Sequence, residues 1–473
     1  MSDDLYRLTA CDTIARLKAG DITPLDAIDA ALARIEAVDG WVNALPTLAP
    51  DRARDRARRL MDRPPAARGL LAGLPVAIKD LNPVAGVRTT YGSPIYADHV
   101  PAESDIAVLR IETAGGIVLA KSNTPEFGAG GQTFNEVFGA TRNPWNTALT
   151  CAGSSGGAAA ALATGQVWLA HGSDLGGSLR TPGAFCSVVG LRPSPGRVPR
   201  GPSDGSFNYL AVNGPMARNV ADVALFLDVM AGLDPRDPLS WPAPATPYRE
   251  ALAAPVAPRR IAFSPDLGFM PVDPQVRGIC ARAMIHFENM GVSVEEHAPD
   301  FSGAMEAFHT LRAALFVTEH AERMKAHRDK FKPEILWNYD KGLALTAAEI
   351  AQAECARTAI FQRMAAFFAE FDLLACPTAA VPPYPIEQRY VDRIGDTQFD
   401  NYVDWMGLQC AVSVTSSPAI SIPCGFTEDG RPVGLQLVAR PRGEAELLQA
   451  AVLFEEAAGL HSLLPIDPRD PAS

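Results

Sequence analysis

The sequence predicts a single large α/β domain in which helices cover both faces of a mixed, mostly parallel central β-sheet. Apolar residues make up 47% of the 473 residues, which is enough for one extensive core. Short apolar runs typical of buried strands alternate with helical stretches, and this alternation is typical of α/β proteins. We find no internal repeat and no low-complexity tail, so one domain over residues 1–473 is expected.

The first segment, residues 1–64, is predicted to be helical. Its stretch "LDAIDAALARIEAV" places Leu25, Ile28, Leu32 and Ile35 on one helix face. The following "DRARDRARR" alternates aspartate with arginine at helical spacing. Such interleaved charges are typical of a solvated helix face and do not indicate a nucleic-acid site.

The central segment, residues 65–200, is rich in glycine, alanine, serine and proline and is expected to hold the core of the sheet. Three short apolar runs in it predict buried strands, namely "LPVAIKD", "GGIVLAK" and "VWLAHGSD". An alanine-rich helix, "GGAAAALATG", follows a Ser-Ser-Gly turn.

The second half of the chain divides into two predicted parts. Residues 234–410 begin with a proline-rich connection and then become more helical and variable. Residues 411–473 contain two predicted strands, "SPAISIPCGF" and "PVGLQLVAR", and a closing helix, "EAELLQAAVLFEEAAG". These strands would complete the sheet, and the helix would cover it.

Charge and composition exclude several classes of function. The net charge of −12 argues against nucleic acid and anionic membranes as partners, because both require a basic surface. The first residues lack the basic and apolar regions of a secretory signal, and no run of about 18 apolar residues is present. We therefore expect a cytoplasmic protein.

No cofactor or metal is predicted. The glycine-rich stretches lack both the GxGxxG spacing of dinucleotide sites and the lysine of a phosphate-binding loop. No histidine pair has metal-ligand spacing. The eight cysteines form no CxxC pair, so they are interpreted as reduced thiols.

Three stretches carry the candidate chemistry: "GLPVAIKDLNPVAG" around Lys79, "CAGSSGGAAA" around Ser154 and "GSDLGGSLRTPG" around Ser178. A serine hydroxyl is a poor nucleophile until a base removes its proton. Burial can lower the pKa of a lysine by about 3–5 units, so that the amine is neutral near neutral pH. Because Lys79 follows the apolar run "LPVAI", it is expected to be buried in this way.

These stretches, in this order, resemble the amidase signature family of Ser-Ser-Lys amide hydrolases. The intervening "AKSNTPEFGAGGQTFNEVFGATRNPWN" resembles the family too, and the resemblance extends over nearly the whole chain. It implies hydrolysis of a carboxylic amide through an acyl-enzyme on Ser178. Ser154 would relay the proton, and Lys79 would be the base. It also implies a cis peptide before Ser154.

The resemblance further assigns an oxyanion hole to the turn formed by Leu175, Gly176, Gly177 and Ser178. Amide attack produces a tetrahedral oxyanion, which converging backbone N–H groups stabilise. Glycines allow the tight turn that such convergence requires. Within the same motif, Asp174 and Arg180 are expected to be structural and to hold the turn by polar contacts.

The substrate is expected to be a small-molecule acyl or aryl amide, extending to esters or carbamates of similar shape. The resemblance places Phe127 and Gly128 in the acyl pocket, with Ser155 beside it. Enrichment of rings later in the chain favours an apolar or aromatic substrate, although these rings could equally pack the core. They are Tyr384, Tyr390, Phe399, Tyr402 and Trp405. A homodimer is compatible with such an enzyme.

Three alternatives remain. "GSSGG" fits the GxSxG pattern of α/β-hydrolases, with Ser155 as nucleophile and His461 as base, but this leaves Lys79 without a role. The same signature describes the catalytic subunit of a tRNA-dependent amidotransferase, which would need partner subunits. A non-catalytic binding protein on an amidase scaffold is disfavoured because all three triad positions are intact.

Overall fold

The computed structural model describes residues 4–470, and these form one α/β domain, as predicted. The helices of eight or more residues in this part of the chain are α1 (Ala10–Ala19), α2 (Pro24–Val42), α3 (Pro50–Met61), α4 (Ile106–Thr113), α5 (Gly156–Ala163), α7 (Val220–Met230), α9 (Pro274–Ala283), α11 (Ala304–His327), α12 (Pro333–Ala344), α13 (Ala347–Phe367), α14 (Gly407–Val414) and α15 (Glu444–Ala458). Shorter helices are α6 (Arg180–Cys186), α8 (Tyr248–Ala251) and α10 (Ile285–Glu288).

The strands of the central sheet are β1 (Thr47–Leu48), β2 (Pro75–Lys79), β3 (Ile117–Ser122), β8 (Leu169–Asp174), β9 (Val189–Arg192), β10 (Val212–Ala217), β11 (Arg260–Phe263), β12 (Ser293–Glu296), β13 (Leu373–Pro377), β16 (Ala419–Phe426) and β17 (Pro432–Ala439). The remaining strands form small hairpins, which are β4 (Phe134–Asn135) with β5 (Gly139–Ala140), β6 (Arg142–Asn143) with β7 (Asn146–Thr150), and β14 (Arg393–Ile394) with β15 (Thr397–Gln398).

The central sheet is mixed, as predicted, but the expectation that it is mostly parallel needs correction. Within the described residues its eleven strands lie in the order β1-β3-β2-β8-β10-β9-β16-β17-β13-β11-β12. Parallel pairs occur only in β3-β2-β8 and in β13-β11-β12. Every pair from β8 through β13 is antiparallel. A short turn makes β16 and β17 a hairpin, which forces antiparallel pairing.

Helix α5 packs closely against the strands that carry the functional site. All its residues are buried, and it is built almost entirely from alanine and glycine. A Cβ added to Gly157 would lie only 2.4 Å from the backbone nitrogen of Asn123, which follows β3. Small side chains therefore let the start of α5, and the serines before it, approach the end of the sheet.

The long helix α11 lies in the more helical second half of the chain and packs against α12, α13 and α14. It buries apolar residues such as Phe308 and Leu315 along its length. This packing places one face of α11 opposite the ends of β2 and β8, across a cavity.

None of the helices described by the structure is both long enough and apolar enough to cross a membrane.

Candidate active site

Lys79 is the last residue of β2, a strand whose five residues are all buried between β3 and β8. Its side chain is fully buried as well. The Nζ atom lies 2.7 Å from Ser154 Oγ and 2.9 Å from Ser155 Oγ. It also lies 3.1 Å from the hydroxyl and 3.3 Å from the carbonyl oxygen of Ser173. The strand thus brings a lysine among three serines, inside the protein.

The environment of Lys79 lowers the pKa of its amine to about 7, chiefly because burial penalises the charged form. The negative charge of Asp174 opposes this shift. No carboxylate in residues 4–470 forms an ion pair with Lys79, because Asp174 is bound by two arginines instead. A substantial fraction of the amine is therefore neutral near neutral pH.

Ser154 and Ser155 precede α5, and the peptide bond between Gly153 and Ser154 is cis, as expected. The two hydroxyls have different surroundings. Ser154 lines a large cavity, whereas Ser155 is fully buried and is not among the residues that line it. Ser155 Oγ accepts a hydrogen bond from Lys79 and donates one to the Ser173 carbonyl at 3.2 Å.

The position of Ser155 differs from both roles considered for it. Its hydroxyl lies behind Ser154 and contacts the lysine, so it does not reach a molecule in the cavity as the substrate-binding prediction requires. The hydrogen-bond partners of Ser155 Oγ are Lys79 and Ser173, and no histidine is among them. The Ser155–His461 arrangement of an α/β-hydrolase is therefore not formed.

Ser178 lies in the tight turn between β8, which ends at Asp174, and α6. The buried Asp174 carboxylate holds this turn, since it accepts hydrogen bonds from the N–H groups of Gly177 (2.9 Å) and Leu179 (3.1 Å). Arg180 binds both carboxylate oxygens, at 2.9 and 3.0 Å. Arg192 adds a contact at 3.2 Å.

The charge of Asp174 is stabilised by these arginines. Burial alone would raise its pKa, but Arg180 and Arg192 outweigh burial and hold the pKa well below its usual range. The carboxylate is thus ionised at any pH at which the protein would be assayed. This geometry agrees with the structural role expected for Asp174 and Arg180.

The backbone N–H groups of the turn differ in availability. Gly177 donates to Asp174, so its N–H is already used. Within the described part of the chain, the N–H groups of Leu175, Gly176 and Ser178 have no hydrogen-bond acceptor. All three residues line the cavity. Three of the four predicted oxyanion-hole residues therefore have an N–H group without a partner.

Ser154 and Ser178 border the same cavity, and the backbone links their segments. The N–H of Ser155 donates to the carbonyl oxygen of Ser178 at 3.1 Å. No hydrogen bond joins the two hydroxyls within residues 4–470, and Ser178 is half-buried. The Ser178 hydroxyl is therefore accessible from the cavity.

The cavity has a volume of about 410 Å³, and the predicted pocket residues Phe127 and Gly128 line it. A Cβ on Gly128 would lie 3.4 Å from Ser154 Oγ, so this glycine is adjacent to the serines. Phe127 packs against the rings of Tyr91 (6.0 Å between centroids) and His320 (4.9 Å). One wall of the cavity is therefore aromatic.

The later aromatic residues do not form this wall. None of the five rings named from the sequence lines the cavity, and Tyr384, Tyr402 and Trp405 are buried in the core. Tyr402, for example, accepts hydrogen bonds from Arg312 and Asn338. Core packing, the other interpretation of these rings, is therefore the one that applies to these three.

Sequence reasoning missed the contribution of α11. This helix presents a row of residues to the cavity at spacings of three or four, namely Phe308, Arg312, Phe316, Glu319, His320 and Arg323. The spacing itself was visible in the sequence, because such residues share one face of a helix. Nothing in the sequence showed which partner that face would meet.

Comparisons with known proteins agree with this fold. The family model described as Amidase matches residues 26–448. An acylamidase from Rhodococcus erythropolis is 36% identical over 460 residues, covering 96% of each chain. A glutamyl-tRNA(Gln) amidotransferase subunit from Moorella thermoacetica is 35% identical over 494 residues, covering 98% of this chain and 99% of that one.

A similar solved structure is that of a bacterial aryl acylamidase of the amidase signature enzymes. It has a TM-score of 0.89 and 27% sequence identity, and the match covers 96% of this chain and 98% of that one. The match extends over nearly the whole domain. The chain therefore belongs to the amidase signature family and is an amidase, an enzyme that hydrolyses amide bonds.

Proposed function

We propose that this amidase hydrolyses acyl and aryl amides through an ester formed on Ser178, with Lys79 as the base and Ser154 as the proton relay. The observation that carries the proposal is the contact between a fully buried lysine amine and the hydroxyl of Ser154, at 2.7 Å. Ordinary structural lysines keep their charged amines in water. This one lies among hydroxyls at the end of a strand.

The hydrogen bonds around Lys79 support its role as a base. A neutral amine has two N–H donors and one lone pair. The Ser173 carbonyl can only accept, and Ser155 Oγ already donates its own proton to that carbonyl. These two oxygens can therefore take both N–H donors of Lys79. The lone pair is then free to accept the proton of Ser154.

The proposed reaction has two halves. Lys79 takes the proton of Ser154, which takes that of Ser178, and Ser178 Oγ attacks the carbonyl carbon of the amide. The tetrahedral intermediate collapses as the C–N bond breaks, and the leaving nitrogen receives the proton through Ser154. Water then attacks the ester by the same relay and releases the acid and Ser178.

The turn before α6 supplies the proposed oxyanion hole. The N–H groups of Leu175, Gly176 and Ser178 have no acceptor in residues 4–470, so they are available to the developing negative charge. Gly177 supports the turn differently, since its N–H binds Asp174. Its φ of 110° belongs to a backbone region that glycine tolerates best.

The substrate class rests on the cavity wall and on the relatives. Four aromatic rings line the cavity, which favours an apolar or aromatic group next to the scissile bond. They belong to Tyr91, Phe127, Phe308 and Phe316. Similar proteins include an acylamidase and an aryl acylamidase. The same acyl transfer extends to esters and carbamates of similar shape, because each passes through a comparable tetrahedral intermediate.

A panel of anilides, alkyl amides, aryl esters and carbamates tests the proposal. The purified chain should cleave anilides, and Ser178→Ala should abolish turnover while the thermal unfolding midpoint stays near that of the wild type. Failure to cleave any member of the panel would overturn the proposal. Turnover by Ser178→Ala equal to wild type would overturn the assignment of the nucleophile.

A second candidate is the catalytic subunit of a tRNA-dependent amidotransferase. The observation that favours it is the 35% identity, over 98% of this chain, to a protein named for that activity. Such a subunit would depend on partner chains and on a charged tRNA, so the expectation of no nucleic-acid partner stays a prediction. Efficient anilide cleavage by the isolated chain would favour the simple amidase. Capture of amidotransferase subunits together with glutamine-dependent activity would favour the alternative.

A further inference from the structure

Arg312 has an unusual environment for a cationic side chain. It lies on α11, lines the active-site cavity and is only 6% exposed. Its guanidinium donates to Asn338 Oδ1 at 2.8 Å and to the Tyr402 hydroxyl at 2.7 Å. Its charge also lies 4.8 Å from the ring centre of Phe316 and 5.3 Å from that of Tyr402.

None of these partners carries a negative charge. Asn338 is neutral, and burial raises the pKa of Tyr402, so that the phenol stays protonated. No carboxylate in residues 4–470 is within ion-pairing distance of Arg312. Three other buried arginines of this protein do face carboxylates. Arg180 and Arg192 share Asp174, and Arg197 faces Glu444.

A buried cation without a counter-ion is energetically costly, and rings and neutral oxygens offset only part of that cost. A guanidinium has five N–H donors, and its two hydrogen bonds leave others uncommitted. An anion entering the cavity would supply the missing charge. The planar guanidinium fork suits a carboxylate in particular, because two parallel hydrogen bonds can form.

Arg312 lies on α11 close to the turn that carries Ser178. Phe308 precedes Arg312 by four residues, about 6 Å along the helix axis. A Cβ added to Gly176 would lie 2.7 Å from Phe308 Cζ, so Phe308 touches the turn that carries Ser178. Arg312 therefore lies about one turn farther along α11 than a residue in contact with the proposed oxyanion hole.

We propose that Arg312 is a specificity residue that binds a carboxylate on the amide substrate, several bonds from the scissile C–N bond. This inference rests on the proposed function and narrows its substrate class to acyl or aryl amides that carry an acid group. The carboxylate would pair with Arg312 while the aromatic wall around Phe127 holds the apolar part. The acid could belong to the acyl group or to the amine, and the test separates these two sources.

Two matched substrate series test the proposal. The first consists of monoanilides of succinic, glutaric and adipic acid, each compared with an anilide in which an isopropyl group replaces the carboxylate. The second compares N-acyl 4-aminobenzoate with N-acyl 4-isopropylaniline. In at least one series the wild-type kcat/KM for the acid should exceed that of its neutral partner by roughly 10- to 100-fold, mainly through a lower KM.

Arg312→Gln should remove this preference, and Arg312→Lys should retain only part of it, because an ammonium keeps the charge but not the fork. Arg323→Gln is the matched control. It removes a second cavity-lining arginine of α11, which lies beside Glu319 and donates to Tyr96, and it should keep the preference. Thermal unfolding of each variant shows whether it is folded.

Binding provides a readout that is independent of turnover. Calorimetry with Ser178→Ala should give a Kd for the preferred acid that is at least about tenfold lower than for the neutral partner, and adding Arg312→Gln should remove the difference. Equal affinities and equal kcat/KM values across both series would overturn the inference. So would a preference that survives Arg312→Gln, whether or not Arg323→Gln removes it. Cleavage of neutral anilides without any acid preference would leave the proposed function standing, whereas no cleavage of any anilide would count against that function.

Discussion

Lys79 Nζ and Ser154 Oγ lie 2.7 Å apart at a buried site where Asp174, the carboxylate whose charge acts on Lys79, is already bound by Arg180 and Arg192. In the proposed mechanism, this relationship lets a lysine act as the base without a histidine. Burial lowers the pKa of the amine to about 7, and the arginines prevent Asp174 from forming an ion pair that would restore its charge.

Asp174→Asn tests this electrostatic arrangement. The charge of Asp174 raises the pKa of Lys79, so its removal should lower that pKa. The same change leaves two arginine charges uncompensated, which lowers the pKa of Lys79 further. The acidic limb of the kcat/KM profile should therefore move to lower pH. Breaking a buried ion pair should also destabilise the fold by about 3–5 kcal/mol. The measurements are a pH–rate profile and a denaturant unfolding curve.

Asp429→Asn is the control for this change, because it breaks an exposed pair with Arg431. It should leave the pH profile unchanged and cost no more than about 1 kcal/mol. A shift of the Asp174→Asn limb towards higher pH would contradict the account.

The two neighbouring serines should respond differently to mutation. Ser154→Ala removes the proposed relay and should lower kcat by about 100- to 10,000-fold. Ser155→Ala removes a hydroxyl that accepts from Lys79 and bonds to the Ser173 backbone but does not line the cavity, so a loss of about tenfold is expected. Steady-state kinetics with one anilide compares them, and a larger loss for Ser155→Ala would instead favour Ser155 as the nucleophile.

Gly176→Ala should disturb the proposed oxyanion hole. The added Cβ would lie 2.7 Å from Phe308 Cζ and 3.1 Å from Cys410 Sγ, so the turn or the Phe308 ring must shift. We expect kcat to fall by up to about 100-fold with a small change in KM. Gly40→Ala, at an exposed position of α2 with nothing within 4 Å, should leave kcat unchanged. Equal kcat values for the two variants would count against this role.

Phe127→Ala should weaken the binding of aromatic substrates. Phe127 contacts Tyr91, His320 and Phe331, with ring centres 4.9 to 6.0 Å apart. Its loss should raise KM for anilides about tenfold and affect short alkyl amides less. Phe361→Ala on α13 is the control, since that ring is 43% exposed. An unchanged ratio of the two KM values would show that the aromatic wall does not select the substrate.

The residues of the proposed triad could be identified from the sequence because each lies in a short local motif. The apolar run before Lys79 predicted its burial, and the glycines around Ser178 predicted a tight turn. The role of Ser155 could not be recognised in this way, because its contact with Lys79 depends on how α5 meets β2.

The cavity wall was harder to predict because it is formed by tertiary packing. Phe308, Arg312 and Phe316 lie on α11, and only the fold shows that this helix faces Ser178. Aromatic enrichment near Tyr402 and Trp405 was misleading, because apolar rings are equally suited to a core. The directions of the strands could not be predicted either, because an apolar run predicts a strand but not the strand with which it pairs. The antiparallel middle of the sheet was therefore missed.

The most direct test is the pH dependence of covalent labelling of Ser178 by a fluorophosphonate, followed by intact mass and peptide mapping. This reaction needs the base but no protonation of a leaving amine. The base must be uncharged and burial lowers its pKa to about 7, so the labelling rate should fall about tenfold per pH unit below 7 and level off above it. Lys79→Ala should lose this plateau. Any of three results would contradict the central claim. The labelling rate could keep rising to about pH 10, which is the range of an ordinary lysine. It could be unchanged in Lys79→Ala, or the label could map to another residue.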